Sequence, residues 1–107
     1  MITEDTFIEM ALSFNGAEQV PHFDRKGFKV IGKRMFATYL QKDHTANIFL
    51  TPEEQQVFCQ IDDVNIYPVP NKWGQNGATT FDLKGVARET VWEALVSAYS
   101  EIMKKKK

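Results

Sequence analysis

Cysteine is almost missing from this chain: Cys59 stands alone in 107 residues. A single thiol excludes an internal disulfide and any metal site built from several cysteines. No apolar run approaches the roughly 18 residues of a membrane span. The opening MITEDTFIEM lacks the basic start of a signal peptide, so cytoplasmic residence and no membrane partner are expected. Glycine-rich phosphate loops, HExxH, GxSxG and CxxC are also absent, so neither a cofactor nor a known catalytic frame announces itself, and the chain is not expected to be an enzyme. His22 and His44 are far apart and lack neighbouring carboxylate clusters, which argues against a metal site. Cys59 has no identifiable base nearby and reads as a structural thiol rather than a nucleophile.

What is present fits one folded unit, residues 1–107. Charged residues make up 25% and hydrophobic residues 43%, near the globular average, which disfavours disorder. A chain of this length can bury a self-sufficient core without staples, and a monomer is expected. The net charge is only −1, yet it hides an uneven distribution. Between Pro21 and Thr45, Arg25, Lys26, Lys29, Lys33, Arg34 and Lys42 face only Asp24 and Asp43 in opposition. The first twenty residues hold Glu4, Asp5, Glu9 and Glu18 and no base, and the chain closes on four lysines. A nearly neutral protein with this pattern can carry a basic face. The alternation of a half-solvated sheet also leaves one side charged for ordinary reasons.

The periodicities predict a helix first. Phe7, Met10, Ala11 and Phe14 recur at helical spacing after Thr3, a candidate N-cap, with acids in the first turn and Gly16 as the stop. From about Gln19 to Leu50 the pattern shortens to strands. Phe28 and Val30 flank Lys29, a turn is expected at Gly32–Lys33, and the following strand is apolar on both faces near its start and so central. His22, between Pro21 and Phe23, reads as a packed and hydrogen-bonded strand residue. TPEE then supplies a capping box and a helix to about Ile61, with Val57, Phe58 and Ile61 on one side. From Val86 to Met103 a wide stripe of Val91, Trp92, Leu95, Val96, Tyr99, Ile102 and Met103 predicts the longest helix. Its terminal lysines suit the negative end of the dipole; a solvated end and a phosphate-binding tail are both open readings. Helix, antiparallel strands, helix, strands, helix is an α+β pattern: a two-layer sandwich with the helices on one face of the sheet and the other face left to solvent or a partner.

The stretch YPVPNKWGQNGATTFDL stands apart. Prolines push Tyr67 to Pro70 into extended geometry. Asn71, Gly74, Asn76 and Gly77 tolerate positive φ and let the loop fold back. Such a loop can present Lys72, Trp73 and Gln75, a cation, an aromatic and an amide, to a phosphate and a base. Equally, Trp73 can tuck down and plug the core, because tryptophan is on average highly buried.

ALSFNGAEQVPHFDRKGFKVIGKRMFAT, TPEEQ and YPVPNKWGQNG together resemble the MmcQ/YjbR family over roughly Ala11 to Tyr99. The resemblance implies a CyaY-like (bacterial frataxin) fold with a short helix inserted between strands. It also implies DNA binding through paired hairpin wings, one at Gly32–Lys33 or Asp24–Gly27 and the other at Asn71–Gly77. Two positions depart from the family's pattern: Phe49 stands where a lysine is expected, and Ala78 where an aromatic is expected. Iron binding, which a frataxin-like fold raises by analogy, is opposed by the few acids of the first helix. The leading expectation is a DNA-binding module using Arg25, Lys26, Lys29, Lys33, Lys72, Trp73 and Gln75. Beside it stand a protein- or small-ligand-binding module that uses the open sheet face and the tryptophan loop, and an enzyme of unrecognised type.

Overall fold

The computed structural model describes residues 1–104; the reading of Lys105, Lys106 and Lys107 as a basic tail lies outside them. Ten elements follow in the order α1 (Glu4–Leu12), β1 (Ala17–His22), β2 (Arg25–Val30), β3 (Met35–Leu40), β4 (Thr45–Phe49), α2 (Pro52–Ile61), β5 (Ile66–Pro68), α3 (Lys72–Gln75), β6 (Ala78–Asp82) and α4 (Arg88–Met103). The strands form one antiparallel sheet in the order β1-β2-β3-β4-β6-β5. This is the expected α+β architecture, with β3 inside the sheet as its two-sided apolarity required. Both edge strands contain a proline, Pro21 in β1 and Pro68 in β5, where a missing backbone donor costs the ladder least and discourages pairing with another chain.

Local chemistry accounts for the helix starts. The Thr3 side chain accepts from the Thr6 backbone and the Thr51 side chain from that of Glu54, while the Glu54 carboxylate accepts from the Thr51 backbone at 2.9 Å. Satisfying these orphan donors contributes about 1 kcal/mol per cap.

The register decides which side chains meet. Lys26 pairs with Tyr39, Phe28 with Ala37, Ala37 with Ile48, Ala46 with Phe81 and Ile66 with Phe81. This row faces the helices: Phe7 of α1 packs edge-on to Phe28 and stacks on Tyr39, and Phe58 of α2 meets Phe81 edge-on. Lys29 pairs with Met35 while Phe28 pairs with Ala37, so β3 holds one extra residue, Phe36. That bulge lets Phe36 and Ala37 both be fully buried, with Phe36 reaching Phe14 and Tyr99. Each of the fully buried phenylalanines 7, 28, 36 and 81 contributes on the order of 1.5–3 kcal/mol by leaving water.

The helices depart from the expected stripes at their outer edges. On α2, Phe58 is buried, whereas Val57 and Ile61 are more than half exposed. Gln55 takes the inward position instead, because it has hydrogen-bond partners there. On α4, Val91, Leu95 and Ile102 are buried with Ala94 and Ala98, while Trp92, Val96 and Met103 stay partly exposed. Small alanines bring α4 close to the sheet and leave its larger residues at the flank. Among the described residues, no helix is long and apolar enough to cross a membrane.

Candidate nucleic-acid interface

All three long helices lie on one face of the sheet, and the opposite face is open. Arg25, Lys29, Met35, Asn47, Phe49, Tyr67, Thr80 and Asp82 belong to that open face by register and alternation. The sheet has two ends. The tip end carries the turn at Phe23–Asp24 and residues 41–44; the loop end carries residues 31–34 and 69–77. Along β2 the two ends lie about 20 Å apart, from the strand rise.

The expected site residues divide between these places. Lys33 is exposed in the turn at the loop end, where Gly32 takes φ +79°. Lys72, Trp73 and Gln75 are exposed on the other projection at the same end. Lys29 is half-buried on the open face, opposite Glu18. Arg25 sits toward the tip end and leans across the open face, its Nη1 3.5 Å from Thr38 Oγ1. Lys26 does not join them. It points to the helix side and is ion-paired with Glu4 of α1. The charge run in the sequence could not separate Lys26 from its neighbours, because alternation sends adjacent strand residues to opposite faces. Of the two candidate places for the first wing, Gly32–Lys33 shares an end with Asn71–Gly77; Asp24–Gly27 lies at the far end and is mostly strand.

The tryptophan loop is held by backbone. Val69 N donates to Ala78 O at 3.0 Å, Asn71 N to Val69 O at 2.9 Å and Leu50 N to Gly77 O at 3.2 Å. Asn71 caps the short helix α3 through Oδ1, which accepts from Trp73 N at 2.9 Å. Gln55 Nε2 reaches up from α2 to Gly74 O at 2.9 Å and Ala78 O at 3.0 Å. Of the four residues expected to supply positive φ, only Gly77 does so, at +111°. Asn71 is extended, and Gly74 is needed for space, since a Cβ there would lie 1.7 Å from Val69 O. On this support Trp73 is 69% exposed. It does not plug the core. The indole is therefore presented to solvent on a backbone fixed by these hydrogen bonds.

Sequence reasoning missed two features. Arg34 is exposed beside Lys33 and belongs to the same surface. At the tip end Phe23 is 95% exposed with φ +58°, a conformation that costs a bulky L-residue energy. A turn propensity scale gives no signal for a phenylalanine there. His22, expected to be packed and hydrogen-bonded, is half-buried at the strand end with its ring edge-on to Phe23, 4.9 Å between centroids. No side-chain hydrogen bond of His22 occurs among the described residues.

The remaining reactive groups have structural partners. His44 Nε2 donates to Ile2 O at 2.7 Å, which fixes the tautomer, and Nδ1 accepts from Tyr39 Oη at 2.6 Å. Burial, with the Glu4 charge adding to it, raises the Tyr39 hydroxyl above its ordinary value. Burial likewise pushes the Cys59 thiol up, which disfavours the thiolate. Among the described residues, no three His, Cys, Asp or Glu side chains are grouped to hold a metal ion.

Charge is sorted between the two sides. The helices hold Asp5, Glu9, Glu53, Glu54, Glu89, Glu93 and Glu101 in addition to the paired Glu4. The open face and loop end hold Arg25, Lys29, Lys33, Arg34 and Lys72 against Glu18 and Asp82, and the first-turn acids of α2, Glu53 and Glu54, begin at the loop end. Asp82 is itself bridged to Lys84 at 3.0 Å. Phe49 and Ala78, the two departures from the family pattern, are direct cross-strand partners on this face. They form one altered local pair, with the aromatic ring on β4 opposite a methyl on β6.

Comparison with known proteins places the chain beside a family and a solved structure. The YjbR family model matches residues 12–101. The crystal structure of protein DR2400 from Deinococcus radiodurans, which carries the DUF419 domain, is similar over 98% of this chain and 81% of its own, with a TM-score of 0.82 and 23% identity. That likeness is one of fold. Among curated proteins no match is found.

Proposed function

The chain belongs to the YjbR family, and from that premise we propose that it is a DNA-binding domain, a binder rather than a catalyst, which contacts the polynucleotide with its open sheet face and loop end. One observation carries the reading: the segregation of charge. Helix surfaces hold most of the acids, so the open face and loop end carry five bases against Glu18, Asp82 and the first-turn acids of α2, Glu53 and Glu54, beside an exposed indole. A near-neutral protein thereby acquires one cationic surface, and phosphate neutralisation supplies the sequence-independent part of nucleic-acid affinity. The two projections at the loop end are separated by three strand spacings, about 14 Å, so they present separate contacts rather than one pocket.

The test is fluorescence anisotropy with a labelled oligonucleotide across a salt series. Five phosphate contacts correspond to a log–log slope of about −4.5 on duplex and about −3.5 on a single strand. Removing the charge of Lys33 or Lys72 is expected to shallow the slope by about 0.7–0.9 each. Absence of binding at low salt would remove the proposal. A second reading, of a small-ligand site, has one feature behind it. A shallow hollow of about 440 Å³ opens beside the tryptophan loop, lined by Gln55, Pro68, Val69, Pro70, Asn71, Gly74 and Gln75. It predicts a Trp73 fluorescence response to a small molecule and indifference to oligonucleotides.

A further inference from the structure

We propose that the polynucleotide taken by the open face is single-stranded, with unpaired bases stacked on Tyr67 and Phe49. The inference rests on the nucleic-acid reading and specifies its ligand. Tyr67 on β5 is 42% exposed, and Phe49 on β4 is half-buried on the same face. Tyr67 pairs with Thr80 and Phe49 with Ala78, two residues apart on β6. Their Cα atoms are therefore about 12 Å apart along a diagonal of the sheet, from strand and residue spacings. Between them lies the Thr80–Asn47 pair, in which Thr80 Oγ1 donates to Asn47 Oδ1 at 2.8 Å. That bond fixes the Asn47 carbonyl and leaves its NH₂ without a side-chain partner among the described residues, free to donate to a base-edge acceptor. Arg25 and Lys29 stand on β2, two strands from Phe49 and four from Tyr67, placed for the phosphates of a strand crossing the sheet.

The same geometry disfavours duplex on this face. A base-paired stack shields its ring faces and offers only edges in grooves, which are read by a helix or a narrow ribbon. This face is a broad six-stranded surface with flanking aromatic side chains, the arrangement that receives splayed bases by stacking.

The experiment uses the full chain with three labelled probes of one sequence: a single-stranded DNA, the corresponding duplex and a single-stranded RNA. Single strands are expected to bind more tightly than the duplex. Tyr67→Ala and Phe49→Leu are expected to weaken single-strand binding, Tyr67→Ala by about 5- to 150-fold, the range for base–aromatic stacking. Duplex binding should change less than twofold. Tyr67 is exposed, so its replacement leaves the core intact; far-UV circular dichroism checks Phe49→Leu. Val64→Ala, an exposed apolar residue just beyond α2, serves as the control and should change nothing. Equal or tighter binding of duplex, or single-strand affinity unmoved by Tyr67→Ala, overturns the stacking inference while DNA binding itself stands. Failure of all three probes at low salt overturns both.

Discussion

Replacing Gly74 by alanine tests whether the tryptophan loop is rigid. The added Cβ would stand 1.7 Å from Val69 O, 2.7 Å from its carbonyl carbon and 3.0 Å from its nitrogen. All three are backbone atoms, so no side chain can swing aside. Relief requires a backbone shift of about 1.5 Å, to restore an ordinary contact in this close-packed region. The Gly74 carbonyl that would move accepts from Gln55 Nε2 at 2.9 Å and from Gly77 N at 3.1 Å. A buried polar group left unpaired costs about 1–3 kcal/mol, and overpacking costs a further 1–3 kcal/mol. Alanine's better helix propensity returns about 1 kcal/mol. The expected net loss is about 1–5 kcal/mol, centred on about 3 kcal/mol, measured by urea denaturation followed by circular dichroism. Gly32→Ala is the internal comparison: it has φ +79° but nothing within 4 Å of a built Cβ. It should cost only the left-handed strain, about 1–2 kcal/mol. If Gly74→Ala lies within about 0.5 kcal/mol of the parent, or costs less than Gly32→Ala, the loop is not clamped on Val69 and the fixed presentation of Trp73 fails.

Three further outcomes are expected. Phe23→Gly should stabilise the fold by about 0.5–1 kcal/mol, because it removes left-handed strain at a residue that buries almost nothing; a lower urea midpoint contradicts this. Lys26→Ala should lower stability by no more than about 1 kcal/mol, since the pair with Glu4 is partly exposed. It should also leave the salt slope of oligonucleotide binding unchanged, and a slope shallower by a full contact would place Lys26 back in the interface. Asp62 accepts from the Asn65 side chain and from the backbones of Asn65 and Val64, which hold its pKa below the ordinary carboxylate value. A depressed folded pKa means its stabilisation is present above the unfolded value, near 4, and is lost as pH falls through the folded value. Asp62→Asn should therefore narrow the gap between urea midpoints measured at pH 7 and in strong acid, and an unchanged gap refutes the assignment.

Much of the architecture could be read from local signals. Thr3 and Thr51 mark helix starts because capping needs only side chains three residues apart. Alternation in β2 and β3, and the proline in each edge strand, are likewise local. The stripe on α2 misled because Val57 and Ile61 satisfy helical spacing equally well on either flank, and the inward place went to Gln55 for partners 19 and 23 residues away. Trp73 was undecided for a related reason. Hydrophobicity favours its burial, and only the tertiary clamp on Gly74 sets which way the loop turns.

The sequence by itself determined the three long helices, the caps of α1 and α2, the central strand and the presence of a constrained, cation-bearing tryptophan segment, though not the short helix α3 within it. All of these depend on interactions within a few residues. Only the tertiary structure decided that Lys26 faces the helices while Lys29 faces outward, that residues 31–34 and 69–77 share an end, and that Tyr67 and Phe49 flank Asn47. Strand register creates these neighbours. Register is set by how whole faces bury against one another, and no short segment contains that information.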